Sequence, residues 1–180
     1  MQWRRCKVIT RDFLMNADCK TAFGAIEESL LWSAEQRAAS LAATLACRPD
    51  EGPVWIFGYG SLMWNPALEF TESCTGTLVG WHRAFCLRLT AGRGTAHQPG
   101  RMLALKEGGR TTGVAYRLPE ETLEQELTLL WKREMITGCY LPTWCQLDLD
   151  DGCTVNAIVF IMDRDIQNMN LTLALRSSRR

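Results

Sequence analysis

VWIFGYGSLMWNP, residues 54 to 66, decides how the rest of the chain is read. A run of apolar and aromatic residues from Val54 enters Gly58-Tyr59-Gly60-Ser61, and Leu62, Met63 and Trp64 follow. The run is short, bounded by glycine and rich in bulky residues, which fits a buried strand from Val54 to Tyr59 better than a helix. Two glycines flanking a tyrosine then break it. Glycine lets backbone approach a neighbour closely, and consecutive N–H groups in such a turn can cradle a carboxylate or a developing oxyanion. Equally, the glycines can serve a strand-end bulge that packs on the chain itself. A nucleotide loop is disfavoured, because Met63 stands where the dinucleotide fingerprint requires glycine and no Gly-Lys-Ser/Thr follows.

Outward from this stretch the pattern is mostly strands. Thr75–Val79, Ala84–Thr90, Met102–Lys106 and Gly113–Leu118 read as strands separated by glycine-containing turns. Ala91–Arg101 is a polar, glycine-rich loop that can border a site. Cys145–Asp150 and Thr154–Met162 flank Asp151-Gly152, a strong hairpin signal. One helix is expected over Glu120–Ile136, with Pro119 at its start, and another from near Lys20 to Cys47, capped by Asp18. Together these predict an α+β fold around a twisted or barrel-like sheet with flanking helices. The expected organisation is an N-terminal helical arm over 1–48, a main domain over 49–163 and a polar, basic tail over 164–180.

With 180 residues the chain can bury a sizeable core, and 47% hydrophobic against 22% charged residues is ordinary for a globular protein. Twenty basic and twenty acidic residues cancel, which gives no electrostatic reason to expect nucleic acid or a membrane as partner. No apolar run approaches the roughly 18 residues of a membrane span, and the N-terminus lacks the apolar core of a secretory signal. A cytoplasmic location follows as the expectation, with the eight cysteines as thiols. Cys139, Cys145 and Cys153 lack zinc-knuckle spacing, and His82 and His97 do not pair with them, so no metal is expected.

One side chain looks misplaced. On a helical wheel Leu123, Leu127, Leu130 and Trp131 fall at about 0°, 40°, 340° and 80°, and Glu134 lands near 20°. A carboxylate in the middle of a buried face is paired, protonated or functional. It is an end-of-helix residue that escapes to solvent, an ion-pair member with Arg133 as one candidate, or a desolvated group poised to exchange protons. The acids nearer the start of this helix, Glu120, Glu121, Glu124 and Glu126, are less informative, since most can lie toward solvent.

Four segments, FGYGSLMW (57–64), RGTAHQPGR (93–101), GVAYRL (113–118) and WKREMITGCY (131–140), occur in order at suitable separations. In this the chain resembles the ChaC-type, glutathione-specific γ-glutamylcyclotransferases over about residues 54 to 162. The resemblance implies cleavage of glutathione to 5-oxoproline and Cys-Gly, without metal or organic cofactor. Glu134 would be the general acid and base. The substrate would lie against Ile56, Phe57, Gly58, Tyr59, Gly60, Ser61 and Leu62, with Tyr116 and Tyr140 as neighbouring hydroxyls. Arg93 and Arg101 are candidates to meet its glycyl carboxylate. The ChaC-like form of the motifs favours glutathione; the alternatives are other γ-glutamyl amines or amino acids as substrates, or a non-catalytic relative that binds thiol peptides. Past Asp163 the tail does not look like the helical continuation of such proteins, so the sequence reads as shortened or altered there.

Overall fold

The computed structural model describes residues 9–16, 28–89, 95 and 97–162. Its centre is a closed five-stranded barrel. In chain order the strands are β1 (Trp55–Gly58), β2 (Glu72–Leu89), β3 (Gly100–Arg117), β4 (Tyr140–Leu149) and β5 (Thr154–Met162), arranged β1-β3-β2-β4-β5. β1 closes the ring. It pairs antiparallel with β3, Ile56 opposite Tyr116, and parallel with β5, Ile56 opposite Ile158.

The strict alternation of a strand sorts β1 between two cores. Trp55 and Phe57 point into the barrel with Leu78, Leu105, Ala115, Leu147, Ala157 and Val159. Ile56 points outward with Ile158 and Phe160, under the apolar stripe of α4 (Leu123–Glu134) that Leu127, Leu130 and Trp131 supply. All four residues of β1 are buried, which is why it reads as a continuous apolar run rather than an alternating one. The ring of Trp131 meets Phe160 edge-on at 5.3 Å.

Several expected boundaries shift. The glycines between the predicted strands do not end them. β2 and β3 each run continuously and pair along their lengths, with register shifts between Val79 and Trp81 and between Ala84 and Leu87. Gly80, Gly108 and Gly109 take positive φ and kink the ribbon instead of breaking it. The distal half folds back over the barrel end, where Leu103 comes within reach of the Gly60 turn. β4 begins at Tyr140, well before Cys145. It carries Pro142, which has no N–H to donate but is tolerated because β4 meets β2 at Gly76 and Thr77 alone.

The N-terminal helix is also shorter than its periodicity predicted. The proposed cap Asp18 lies outside the described residues. Glu28–Leu30 forms a single 3-10 turn, and α2 (Ala34–Ala46) starts only after Ser33. Ser33 and Gln36 make a reciprocal capping box, and the N–H of Trp32 is taken by Ile136 O at 2.8 Å. Those two commitments fix the start. α2 then docks on α4 and β4 through Trp131 Nε1 to Ser40 Oγ (3.2 Å) and Trp144 Nε1 to Thr44 O (2.7 Å). Likewise α4 begins at Leu123, not Glu120, and ends on Glu134.

Two short helices complete the described chain. α1 (Arg11–Met15), capped by Thr10, lies against α4, and α3 (Ser61–Trp64) is the turn that follows β1. Glu126, one of the four acids near the start of the expected helix, is fully buried. Arg11 grips it with both ends of its guanidinium, at 2.7 and 2.5 Å, and the Glu69 N–H adds a third bond at 2.9 Å. The Asp151-Gly152 hairpin forms as its dipeptide predicts, with Gly152 at φ +86. No helix among the described residues is long and apolar enough to cross a membrane. Cys47, Cys74, Cys86, Cys139, Cys145 and Cys153 are unbridged, while Cys6 and Cys19 lie outside the described residues.

Candidate active site

The site is assembled where β1 stops. After Gly58 the chain folds back as α3, and a Cβ on Gly58 would sit 3.0 Å from Leu62 Cβ. Gly58 is therefore bare because its own following turn packs on it. Opposite, a Cβ on Gly113 would fall 2.3 Å from Gly58 O and 2.7 Å from the Phe57 ring, so the crossing of β1 and β3 admits no side chain there. Gly60 is less confined, with only Leu103 Cδ2 at 3.4 Å. Within this turn Met63 N–H is taken by Gly60 O at 2.9 Å and Asn65 N–H by Ser61 O at 3.1 Å.

Each side chain of the predicted segment has a definite place. Ile56 and Phe57 are fully buried in the two cores, so backbone is all they can offer a ligand. Leu62 is buried too, and its carbonyl accepts the Tyr116 hydroxyl at 3.0 Å. Tyr116 thus supports the turn from below. Tyr59 is buried and donates its hydroxyl to Phe160 O at 2.6 Å. Ser61 is exposed. Arg101 lies exposed on β3 opposite Arg88, and Arg93 is outside the described residues.

Glu134 closes the site from the end of α4. Its side chain is 15% exposed, and Arg133 Nε lies 3.0 Å from Oε1. Burial pushes its carboxyl above the ordinary carboxylate range, and the Arg133 charge pulls part of that back. Around it stand Tyr59, Cys139 and Tyr140. Burial raises the Tyr59 hydroxyl, and the Glu134 charge raises it further. Burial likewise lifts Tyr140 well above the usual phenol value, with Tyr59 and Glu134 adding to it. Cys139 is pushed up to about 11, by burial first and then Glu134 against the opposing Thr137 hydrogen bond. Mutual influence of this kind requires proximity. The structure therefore brings Glu134, Tyr59 and Tyr140 together, while the Tyr116 hydroxyl is bonded to the Leu62 carbonyl in α3 and feels the Arg133 charge.

One contributor escaped the sequence reading. Arg83, on β2, donates Nε to Tyr59 O at 2.6 Å and also holds Thr112 O and Met63 Sδ. It clamps the folded-back ribbon onto the turn. A charged residue on an alternating strand carries no signal that distinguishes such a clamp from a solvent-facing arginine. Among the described residues, no group of three histidine, cysteine or acidic side chains is arranged to hold a metal.

A family model described as ChaC-like protein matches residues 54–174. The chain belongs to this ChaC-like family. The match includes the Tyr59 turn and Glu134, leaves the N-terminal segment outside, and runs beyond residue 163 into the stretch expected to be a departing tail. Over 156 residues, 87% of its length, this ChaC-like chain is 99% identical to the glutathione-specific gamma-glutamylcyclotransferase of Escherichia coli (strain K12), covering 68% of that protein. It is 40% identical over 93 residues to glutathione-specific gamma-glutamylcyclotransferase 1 of Homo sapiens, spanning 51% of this chain and less than half, 42%, of that protein. Among solved structures, the yeast gamma-glutamyl cyclotransferase specific to glutathione superposes with a TM-score of 0.55 at 20% identity, over 62% of this chain and 69% of that one. At that identity the likeness speaks for the fold, an α+β barrel with flanking helices.

Proposed function

We propose that the chain degrades glutathione by cyclising its γ-glutamyl group, releasing 5-oxoproline and Cys-Gly, with Glu134 as general acid and base. The observation that carries this reading is Glu134 itself. It is a largely desolvated carboxylate with a raised proton affinity, beside the turn of a chain almost identical to a glutathione-specific cyclotransferase.

The reaction is an internal aminolysis. The substrate's α-amine attacks its own γ-carbonyl carbon, a C–N bond closes the five-membered ring, and the bond to the cysteinyl nitrogen breaks. At neutral pH the attacking amine is mostly protonated and must lose a proton, while the leaving nitrogen must gain one. A carboxylate whose pKa lies between those of a surface glutamate and an amine serves both steps. The backbone from Gly58 to Leu62 holds the γ-glutamyl carboxylate or the oxyanion through N–H groups. This keeps the substrate folded for ring closure. The Tyr59 and Tyr140 hydroxyls bound the same space and stay protonated. No step calls for a cofactor.

Purified protein incubated with glutathione, with 5-oxoproline and Cys-Gly followed by chromatography, tests the reading. Turnover by the parent and a loss of roughly 10²-fold or more in Glu134→Gln are expected. Equal turnover in both would remove Glu134 from the chemistry.

A further inference from the structure

We infer that Arg133 is a positioning residue that ties the substrate-holding turn to Glu134; the inference rests on the cyclisation reading above. Arg133 is 4% exposed and directs four of its five N–H donors to four acceptors. Nη1 donates to Asn65 O (2.6 Å) and Pro66 O (3.1 Å), just past the end of α3. Nη2 donates to Ser61 Oγ (3.1 Å), at its start. Nε faces Glu134 Oε1 at 3.0 Å. A guanidinium is a rigid plane with its N–H groups in fixed directions. One plane therefore touches both ends of α3 and the neighbouring carboxylate.

α3 needs such a tie. A helix of one turn has almost no stability of its own, and its backbone bonds are Met63 N to Gly60 O (2.9 Å) and Asn65 N to Ser61 O (3.1 Å). Without Arg133 the N–H groups offered to the substrate would not keep a constant distance from the carboxylate, and an error of about 1 Å in such geometry costs on the order of 10²-fold in rate. Arg133 also supplies the positive charge beside Glu134. The other titratable groups facing Glu134 are Tyr59 from the turn, Tyr140 at the start of β4 and Cys139 just before it. All of these are neutral when protonated.

Two variants separate the fork from the charge. Arg133→Lys keeps a cation but cannot reach four acceptors, and Arg133→Met removes both. Measured against the parent and Glu134→Gln, Arg133→Lys should lose roughly tenfold in kcat, with the acid limb of its pH profile near the parent's. Arg133→Met should lose about 10²-fold, with that limb displaced to higher pH because the carboxylate has lost its neighbouring cation. Amide hydrogen exchange at Met63 and Asn65 should speed up at least about tenfold in Arg133→Lys as α3 loosens. That readout does not depend on turnover, so it stands even if Glu134→Gln matches the parent and the cyclisation reading fails. Unchanged exchange in Arg133→Lys overturns the inference. Parent-like kcat in that variant overturns it as well, and Arg133→Lys decides alone if Arg133→Met does not fold.

Discussion

Arg11→Ala should unfold this protein more readily than its position near the N-terminus suggests. Glu126 is fully buried, and its partners are the two Arg11 nitrogens at 2.7 and 2.5 Å and the Glu69 N–H at 2.9 Å. Deleting the guanidinium leaves a carboxylate inside the protein with one hydrogen bond. Removing one partner of a buried ion pair costs about 3–5 kcal/mol. Arg11 is 24% exposed, so water enters the space it vacates, and about 2–3 kcal/mol is expected. At ~2–4 °C per kcal/mol for a chain of this size, Tm falls by roughly 4–12 °C. Glu126→Gln makes the contrast. It leaves the charge on Arg11, which can turn toward solvent and toward Glu69, already 3.4 Å away, so about 1 kcal/mol is expected. Urea denaturation and calorimetry on the full chain at neutral pH measure both. An Arg11→Ala cost within about 0.5 kcal/mol of the parent, or a larger cost for Glu126→Gln, would refute the buried-pair reasoning. It would also mean that α1 lies outside the cooperative unit.

Other outcomes follow from the same structure. Because burial raises the Glu134 carboxyl, the acid limb of kcat/KM should lie above the ordinary glutamate value of about 4.3; a limb at that value would contradict desolvation as the cause. The sign for stability is the reverse of the usual acid case. The folded state holds this proton more tightly than the unfolded chain, so the contribution is complete below about pH 4.3 and is lost as pH rises through the folded value. Gly113→Ala should be severely destabilising, since its Cβ would meet Gly58 O at 2.3 Å, whereas Gly152→Ala, with φ +86 and open space, should cost only about 1 kcal/mol. Equal Tm values for the two variants would sink that distinction. Iodoacetamide at pH 7.5, read by peptide mass spectrometry, should modify exposed Cys47 long before Cys139, whose thiol is pushed up to about 11; prompt labelling of Cys139 would mean that its site opens.

Much of the site was legible in local pattern. The wheel of α4 already set Glu134 among Leu127, Leu130 and Trp131, because helical periodicity records which face a residue occupies. The apolar run before Gly58 marked a strand buried on both faces, and Asp151-Gly152 marked a hairpin, because those dipeptide conformations are intrinsic. Tertiary contacts settled the rest. Glycines at 80, 108 and 109 looked like strand ends and proved to be kinks, since whether a glycine ends or bends a strand depends on the partner across the ladder. Glu126 had the composition of a surface acid and became a buried one because Arg11, 115 residues away, docks on it. Arg133 was legible as a neighbour of Glu134 but not as the link between both ends of α3, since Ser61 and Asn65 reach it only after the barrel closes. Periodicity and turn chemistry are properties of adjacent residues and survive in an isolated segment. A guanidinium finds distant acceptors only once the whole chain has folded.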